Sequence, residues 1–444
     1  MNSPLPKVVH PVAGRPMIER VVRAAKQAEA REIRVVVGFG ENLVRSLVEP
    51  LGAICFKQER QLGTADAVRS AQPDSLQGPV LILNGDHPLL TADDLKKLHL
   101  QFKESGAPVC VVTCELDDPG QFGRIIRHQG SVKAIVEAKD ATHESRKIKE
   151  VNTGIYMIEA EVLQNLLPEI KSHNAQGEFY FTDIVSLAVA NSIKVQGIPT
   201  NARMAMGVNT QAELAQATRF SYRRKAMQLM EAGVIVMNPK TTFVEDMVEV
   251  GSGTIIYPNV YMRGTTKVAG YCVVEPGCVI TNTELGEGVH VKAGCYLEDS
   301  KVGPQTELGP YAHLRPGNEI GESCKIGNFV EMKKVKFANG AKASHLTYLG
   351  DAEIGENTNI GCGTITCNYA ADRKKYKTKI GANVFVGSDS QFVAPVEVGD
   401  NAIIGSGSTI TKNVPAHALA VARAKQFVKE NYMPKSPGDK KEEK

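Results

Sequence analysis

Through the second half of the chain, aliphatic residues recur every six positions, a spacing that belongs neither to a helix nor to an ordinary strand. Val250, Ile256, Met262, Val268, Val274 and Ile280 are six apart, and after a one-residue slip come Leu285, Val291 and Leu297. A second slip leads to Val302, Leu308, Leu314, Ile320 and Ile326; the register returns at Ile354 and Ile360 and resumes as Ile380, Val386, Phe392, Val398, Ile404 and Ile410. Glycine often follows the aliphatic position, as at Gly251, Gly286, Gly303, Gly327, Gly361, Gly387 and Gly405. A six-residue period held over about 160 residues predicts a coiled parallel sheet, each hexad making one short strand and one corner. The aliphatic side chain points to the axis, and each one buried contributes roughly 1.5–3 kcal/mol. The spacing does not give the handedness of the coil.

Two stretches are predicted to interrupt the repeat: Glu331 to about Leu349, and Cys367 to Thr378. Insertions in solenoids map to surface loops and often to the binding face. His345, Tyr348, Asn368 and Tyr369 cluster in these two. The outward hexad positions read as small and polar, with no long charged face.

The first half alternates differently. Ile33–Gly38, Val80–Gly85 and Val109–Leu116 are apolar and rich in β-branched residues, and helical patterns lie at Pro16–Ala30, Thr64–Ala71 and Ala92–Ser105. That alternation predicts an α/β domain with a mainly parallel, doubly wound sheet. Such sheets bind ligands beyond the carboxyl ends of their strands, where Asp86 falls. An aspartate there suits a divalent cation bridging phosphates and equally suits the start of a turn. Gln58 to Thr64 precedes a helix, Gly63 lets a ligand approach the backbone, and Lys7 is a candidate phosphate partner. Asn209–Gly233 reads as a linker helix with a Thr210/Glu213 capping box, a Gly233 C-cap, and Ala217, Phe220, Met227 and Met230 on one side. The tail after Tyr432 is charged and carries Pro and Gly, a composition that predicts disorder.

Composition narrows the classes. A net charge of +3 over 444 residues argues against nucleic-acid binding, and no run approaches the ~20 apolar residues of a membrane helix. The N-terminus has no apolar core of a secretory signal. The nine cysteines form no C-x-x-C pair, which points to free thiols in a reducing compartment, the cytoplasm. Cys362 is the thiol to watch, because it falls among the motifs quoted next.

Those motifs, in order, are Ser3-Pro-Leu-Pro-Lys-Val8, Gln61-Leu-Gly-Thr64, Gly85-Asp-His-Pro-Leu89, Phe122-Gly-Arg-Ile125, Val151-Asn-Thr-Gly154, Gly207-Val-Asn209, Leu314-Arg-Pro-Gly317, Gly327-Asn-Phe-Val-Glu-Met-Lys333, His345-Leu-Thr-Tyr-Leu-Gly-Asp351, Thr364-Ile-Thr-Cys-Asn-Tyr369 and Val386-Gly-Ser-Asp389. Together they resemble, over essentially the whole chain, the bacterial bifunctional N-acetylglucosamine-1-phosphate uridyltransferase/glucosamine-1-phosphate N-acetyltransferase family (GlmU). The resemblance implies a Rossmann-like nucleotidyltransferase domain over 1–208, a linker helix over 209–233, a left-handed parallel β-helix of hexapeptide repeats over 234–428 and a disordered tail over 429–444. It also implies a homotrimer, acetyl transfer from acetyl-CoA to glucosamine 1-phosphate, and uridylyl transfer from UTP with Mg²⁺. On the same resemblance, the UDP-N-acetylglucosamine formed is expected to feed peptidoglycan and lipopolysaccharide synthesis.

By motif, the resemblance makes His345 the base of acetyl transfer. It gives the sugar phosphate to Arg315 and Lys333, and the sugar to Tyr348 and Asn359. Cys362, Asn368, Tyr369, Ser388, Ser406 and Arg423 match positions for acetyl-CoA or the tetrahedral intermediate. Asp86 and Asn209 match the Mg²⁺ ligands. Lys7, Gln58, Gly63, Thr64, Gly123, Glu137 and Asn152, with Asn209, match nucleotide and sugar contacts. Cys362 replaces a small residue common in the family, and Asn84 a common Tyr. The family also opens with a strand and a loop of the form L-A-A-G-x-G-T-R-M, whose last Met coincides with Met1. The expectation is that Met1 is an internal methionine, or else that uridylyl transfer is lost and acetyl transfer alone remains. A mere oligomerisation stalk would need the hexads but not His345, Arg315, Lys333 and Tyr348 together.

Overall fold

The computed structural model describes Met1, residues 3–172, Asn174 and residues 176–432, so most of the charged tail lies outside the described residues. The chain divides into two compact units, Met1–Lys225 and a second beginning at Ala226.

The second unit is a coil of short parallel strands. From Ile256 to Ile410, every aliphatic residue of the six-residue pattern is at most 5% exposed, and Val250 is half-buried at the open end. Successive coils stack these residues directly, as in the ladder Val244, Met262, Ile280, Leu297, Leu314, Met332 and Leu349. Within the described residues the coils build an 11-stranded sheet on one face, while a 17-stranded sheet runs over the other two. The one-residue slips are coils shortened at a corner, where Leu285 follows Ile280 and Val302 follows Leu297 without leaving the axis.

Only one of the two expected interruptions is real. Glu331–Phe337, Lys342–His345 and Tyr348–Ile354 are ordinary rungs of the coil. Phe337 stacks between Ile320 and Ile354, and Ala343 between Ile326 and Ile360. The repeat continues there as Met332, Phe337, Ala343 and Leu349, with Phe337 one position early and a small alanine on the axis. Cys367 to Thr378 is a true excursion: Ile365 stacks on Gln391, beyond the loop, and Tyr369 and Lys375 bridge the loop's two limbs.

One face is charged along its length, contrary to the expectation of small polar rungs. Glu249, Lys267, Glu284, Lys301, Glu319, Lys336, Glu353, Lys379 and Glu397 stack in strict alternation of sign. Lys379 lies 3.0 Å from Glu397, Lys301 3.8 Å from Glu284 and Lys336 4.0 Å from Glu319. Each inner rung is flanked by two unlike charges, so sequence order and coil length together set the alternation.

The first unit has helices Met17–Gln27, Thr64–Ser70 and Ala92–Ser105 near the expected places. Its main sheet is mixed, not mainly parallel. Val109–Glu115 runs parallel to Val195–Thr200, but antiparallel to Glu150–Glu159, which in turn opposes Pro79–Ile82. Arg34–Val37 and Ile54–Lys57 form a separate parallel pair. Val109 to Cys114 is buried at every position, and a largely apolar run of this kind reports burial on both faces without reporting direction.

The linker helix is observed at Gln211–Glu231. Its capping box is present: Thr210 Oγ1 accepts from the Glu213 amide at 3.1 Å, and Glu213 Oε2 accepts from the Thr210 amide at 2.8 Å. The expected apolar side is corrected. Ala217 is buried, but Phe220, Met227 and Met230 are exposed, and Ser221, Tyr222, Ala226 and Leu229 are buried instead. Among the described residues no helix is long and apolar enough to cross a membrane.

Reversing one charge in the ladder tests the alternation. Lys301→Glu puts like charges on three consecutive rungs, Glu284, the new Glu and Glu319, and lowers stability by about 0.5–2 kcal/mol. Thermal unfolding at low salt reads the loss, and added salt reduces it. Equal midpoints for the variant and the parent at low salt would contradict the ladder's role.

Candidate functional site

In the second unit the coil lines up residues far apart in sequence at one corner. Asn328 pairs in register with His345, and the Leu346 amide donates to Asn328 O at 3.0 Å. Above them the Asp389 amide donates to Cys362 O at 2.7 Å, and the Gly407 amide to Ser388 O at 2.8 Å. His345, Cys362, Ser388 and Ser406 therefore succeed one another up the coil, and the Arg423 guanidinium donates to Ser406 O at 2.8 Å. Glycines permit the close stacking: a Cβ on Gly361 would lie 2.7 Å from the Ser388 amide nitrogen, and one on Gly387 2.5 Å from that of Ser406.

Across the next corner the charge is positive. Arg315 lies on the coil below Lys333, its amide donating to Met332 O at 2.9 Å, and Lys333 pairs with Gly350 on the coil above. Arg315 Nη1 also donates to Glu331 Oε1 at 2.9 Å, which orients the guanidinium. Lys375, carried by the Cys367–Thr378 excursion, and then Arg315 push the Lys333 ammonium below the usual lysine range, because like charges crowd it. Three cations repelling one another on an exposed corner make a ready anion site. Tyr348 and Asn368 converge over Gly350, where a Cβ would lie 2.5 Å from the Tyr348 hydroxyl and 2.7 Å from Asn368 Nδ2. Asn368 Nδ2 donates to Asp351 Oδ2 at 2.6 Å, which fixes the amide; Tyr369 beside it is exposed. Asn359 is placed elsewhere. It sits on the 11-stranded face, above Lys342 and below Phe385, whereas Lys333 and Tyr348 belong to the 17-stranded sheet and Arg315 directly follows one of its strands, His313–Leu314.

In the first unit Asp86 lies past the end of the strand Pro79–Ile82. Lys7 Nζ donates to Asp86 Oδ2 at 2.5 Å and to Asn209 Oδ1 at 2.8 Å, so an ammonium stands between two oxygens suited to a harder cation. Asp86 Oδ1 is buried with no hydrogen-bond partner; His87 Nε2 lies 3.7 Å from it, on a ring that burial disfavours in its protonated form. A Cβ on Gly207 would touch the His87 ring, which is why the Gly207–Asn209 segment can close over Asp86.

A second group of residues is linked by contacts in the same unit. Gln58 Nε2 donates to Gly63 O at 3.3 Å and to Asp66 Oδ2 at 2.7 Å. Gly63 has a φ of +120° and a Cβ there would meet Phe179 O at 2.5 Å, so only glycine fits. Thr64 Oγ1 accepts from the Phe181 amide at 2.9 Å; the Phe181 ring meets Tyr156 edge-on at 5.0 Å, and Asn152 Nδ2 donates to the Tyr156 hydroxyl at 2.7 Å. The Asn152 amide donates to Gly123 O at 2.9 Å, and Glu137 borders Gly123, its carboxyl held above the usual range by burial. Arg124 is buried and folds its guanidinium back onto Gly120 O and Phe122 O, fixing the loop before Gly123.

Sequence reasoning passed over Asn328, Lys375, Asp351 and Arg124. Lys375 could have been found from the basic run inside the excursion; Asn328 and Asp351 become visible only when coils are stacked.

Comparison with known proteins follows this division. Residues 1–153 match the family model for MobA-like NTP transferase domains, and residues 377–412 that for bacterial transferase hexapeptide (six repeats). The chain is 58% identical over 436 residues to the bifunctional protein GlmU of Bdellovibrio bacteriovorus, an alignment spanning 98% of this chain and 95% of that one. It is 46% identical to the protein of that name from Trichlorobacter lovleyi and 44% identical to the one from Geotalea uraniireducens, each over 437 residues, 97% of this chain and 95% of the relative.

The cationic corner predicts its own test. Lys375→Met removes one of the charges crowding Lys333 and weakens binding of a sugar phosphate about tenfold, as loss of one charged hydrogen-bond donor does. Titration calorimetry with glucosamine 1-phosphate measures it, and an unchanged affinity would place the phosphate elsewhere.

Proposed function

The chain belongs to the bifunctional GlmU family, and on that premise we propose that its two residue clusters perform two consecutive transfers. The chain is a transferase with acetyltransferase and uridyltransferase activities. The second unit acetylates glucosamine 1-phosphate with acetyl-CoA. The first unit then joins UMP from UTP to N-acetylglucosamine 1-phosphate, releasing pyrophosphate. The observation that carries the assignment is the corner column of His345, Cys362, Ser388 and Ser406, set beside the cluster of Arg315, Lys333 and Lys375.

In acetyl transfer, Arg315, Lys333 and Lys375 hold the phosphate, and Tyr348 and Asn359 the sugar. The amine is nucleophilic only when unprotonated, so His345 takes the proton as the nitrogen attacks the thioester carbon. Asn368 and Tyr369 face the tetrahedral intermediate, which collapses with release of the coenzyme A thiolate. Cys362, Ser388, Ser406 and Arg423 line the path of the coenzyme.

In uridylyl transfer, Asp86 and Asn209 would hold Mg²⁺; the buried Asp86 Oδ1 without a hydrogen-bond partner and the lysine ammonium between Asp86 and Asn209 support this fit. Bound there, the cation would supply positive charge to offset that of the triphosphate. Lys7 adds a further positive charge, Gln58, Gly63 and Thr64 receive the nucleotide, and Gly123, Glu137 and Asn152 receive the sugar.

The active assembly is a homotrimer in the cytoplasm. Asn359 lies on a different face from Arg315, Lys333 and Tyr348, so a neighbouring copy can complete the site. Above Asn359 rise Phe385, Ile403 and Leu419, each about half or more exposed, an apolar column that packing against another copy covers.

Two variants test the division of labour. His345→Ala lowers acetyl transfer by roughly 10²–10⁴-fold and leaves uridylyl transfer intact. Asp86→Ala does the reverse. Assay of both half-reactions on each variant reads this, and near-normal acetyl transfer by His345→Ala would sink the assignment of the base. For the assembly, sedimentation equilibrium should give a trimer; a fully active monomer contradicts it.

A further inference from the structure

His345 works as a base only if one ring nitrogen is unprotonated and faces the substrate, so something must hold the proton on the other. The structure supplies a partner. His345 Nδ1 lies 2.6 Å from Asn328 Oδ1, on the coil directly below. The contact is built into the stacking of the two coils. Asn328 and His345 are register partners of adjacent parallel strands, Lys325–Asn328 and Lys342–His345. A Cβ on Gly327 would lie 1.8 Å from Ser344 O, so glycine before Asn328 is what lets the two backbones come this close. The Leu346 amide donates to Asn328 O at 3.0 Å and Thr347 Oγ1 donates to His345 O at 2.7 Å, which pins the backbone on both sides of the pair.

We propose that Asn328 is the positioning residue of acetyl transfer: its side-chain oxygen accepts the Nδ1 proton of His345, fixing the tautomer in which Nε2 is free to take a proton from the sugar amine. The inference rests on His345 being the base. An amide is well chosen for this task, because it holds the proton on Nδ1 without the negative charge that would make the ring more basic. The titratable groups on the strands stacked here and the turn above are Lys325, Lys342 and Cys362, and all three stay unchanged in the test.

The test uses the full chain and both assays. Asn328→Ala lowers kcat for acetyl transfer roughly 10- to 100-fold, with KM for both substrates little changed and uridylyl transfer intact. Asn328→Asp accepts the same proton, so it restores most of kcat, but its charge moves the acid limb of the rate profile up by about one pH unit or more. Wild-type kcat in Asn328→Ala, or an acid limb that does not move in Asn328→Asp, overturns the proposal. His345→Ala is assayed alongside. If that variant keeps acetyl transfer, the base assignment fails and Asn328 falls with it. If it is inactive while Asn328→Ala is normal, only the positioning role fails.

Discussion

Everything in the second unit depends on how closely one coil lies on the next. The backbone ladders hold neighbouring coils at the spacing of a parallel sheet, and glycines at the corners allow contacts that a Cβ would forbid, as at Gly327, Gly361 and Gly387. Each hexad buries an apolar side chain and, two positions before it, a second residue such as Thr254, Cys272 or Val289, so the coil cannot shift without exposing them. With the rungs held in register, outward side chains separated by a whole turn of sequence stand one above another. That turns a linear repeat into columns, and the columns carry the chemistry: charge alternation on one face, His345 and its neighbours at one corner, cations across the next.

The same constraint explains which parts of the fold were legible from sequence. The axial positions were, because burial demands an apolar residue at every turn. Glu331 to Leu349 escapes a six-residue count because Phe337 follows Met332 by five positions and the next axial residue, Ala343, is small. In the first unit, strand positions followed from apolar runs such as Val109 to Cys114, but burial on both faces says nothing of direction, and the antiparallel entry of Glu150–Glu159 was hidden. The linker helix differs for another reason: Phe220, Met227 and Met230 share a stripe, yet the packed side is that of Ala217, Ser221, Tyr222, Ala226 and Leu229.

The candidate sites divide in the same way. Residues inside quoted motifs were identifiable one by one. What the sequence withheld was their company. Asn328 and His345 are brought together by the coil, Lys375 reaches Lys333 only because the excursion folds back, and Asp351 fixes Asn368 from the coil below. Asn359 shows the converse, an expected sugar contact that a single chain leaves on another face.

The central claim is that the corner column is the path of the acyl donor. A crystal structure with coenzyme A bound tests it most directly. The account predicts the pantetheine arm running along His345, Cys362, Ser388 and Ser406, with the thiol end nearest His345 and Arg423 beside the coenzyme. Coenzyme bound along the alternating Glu/Lys face, or with its thiol remote from His345, would contradict it.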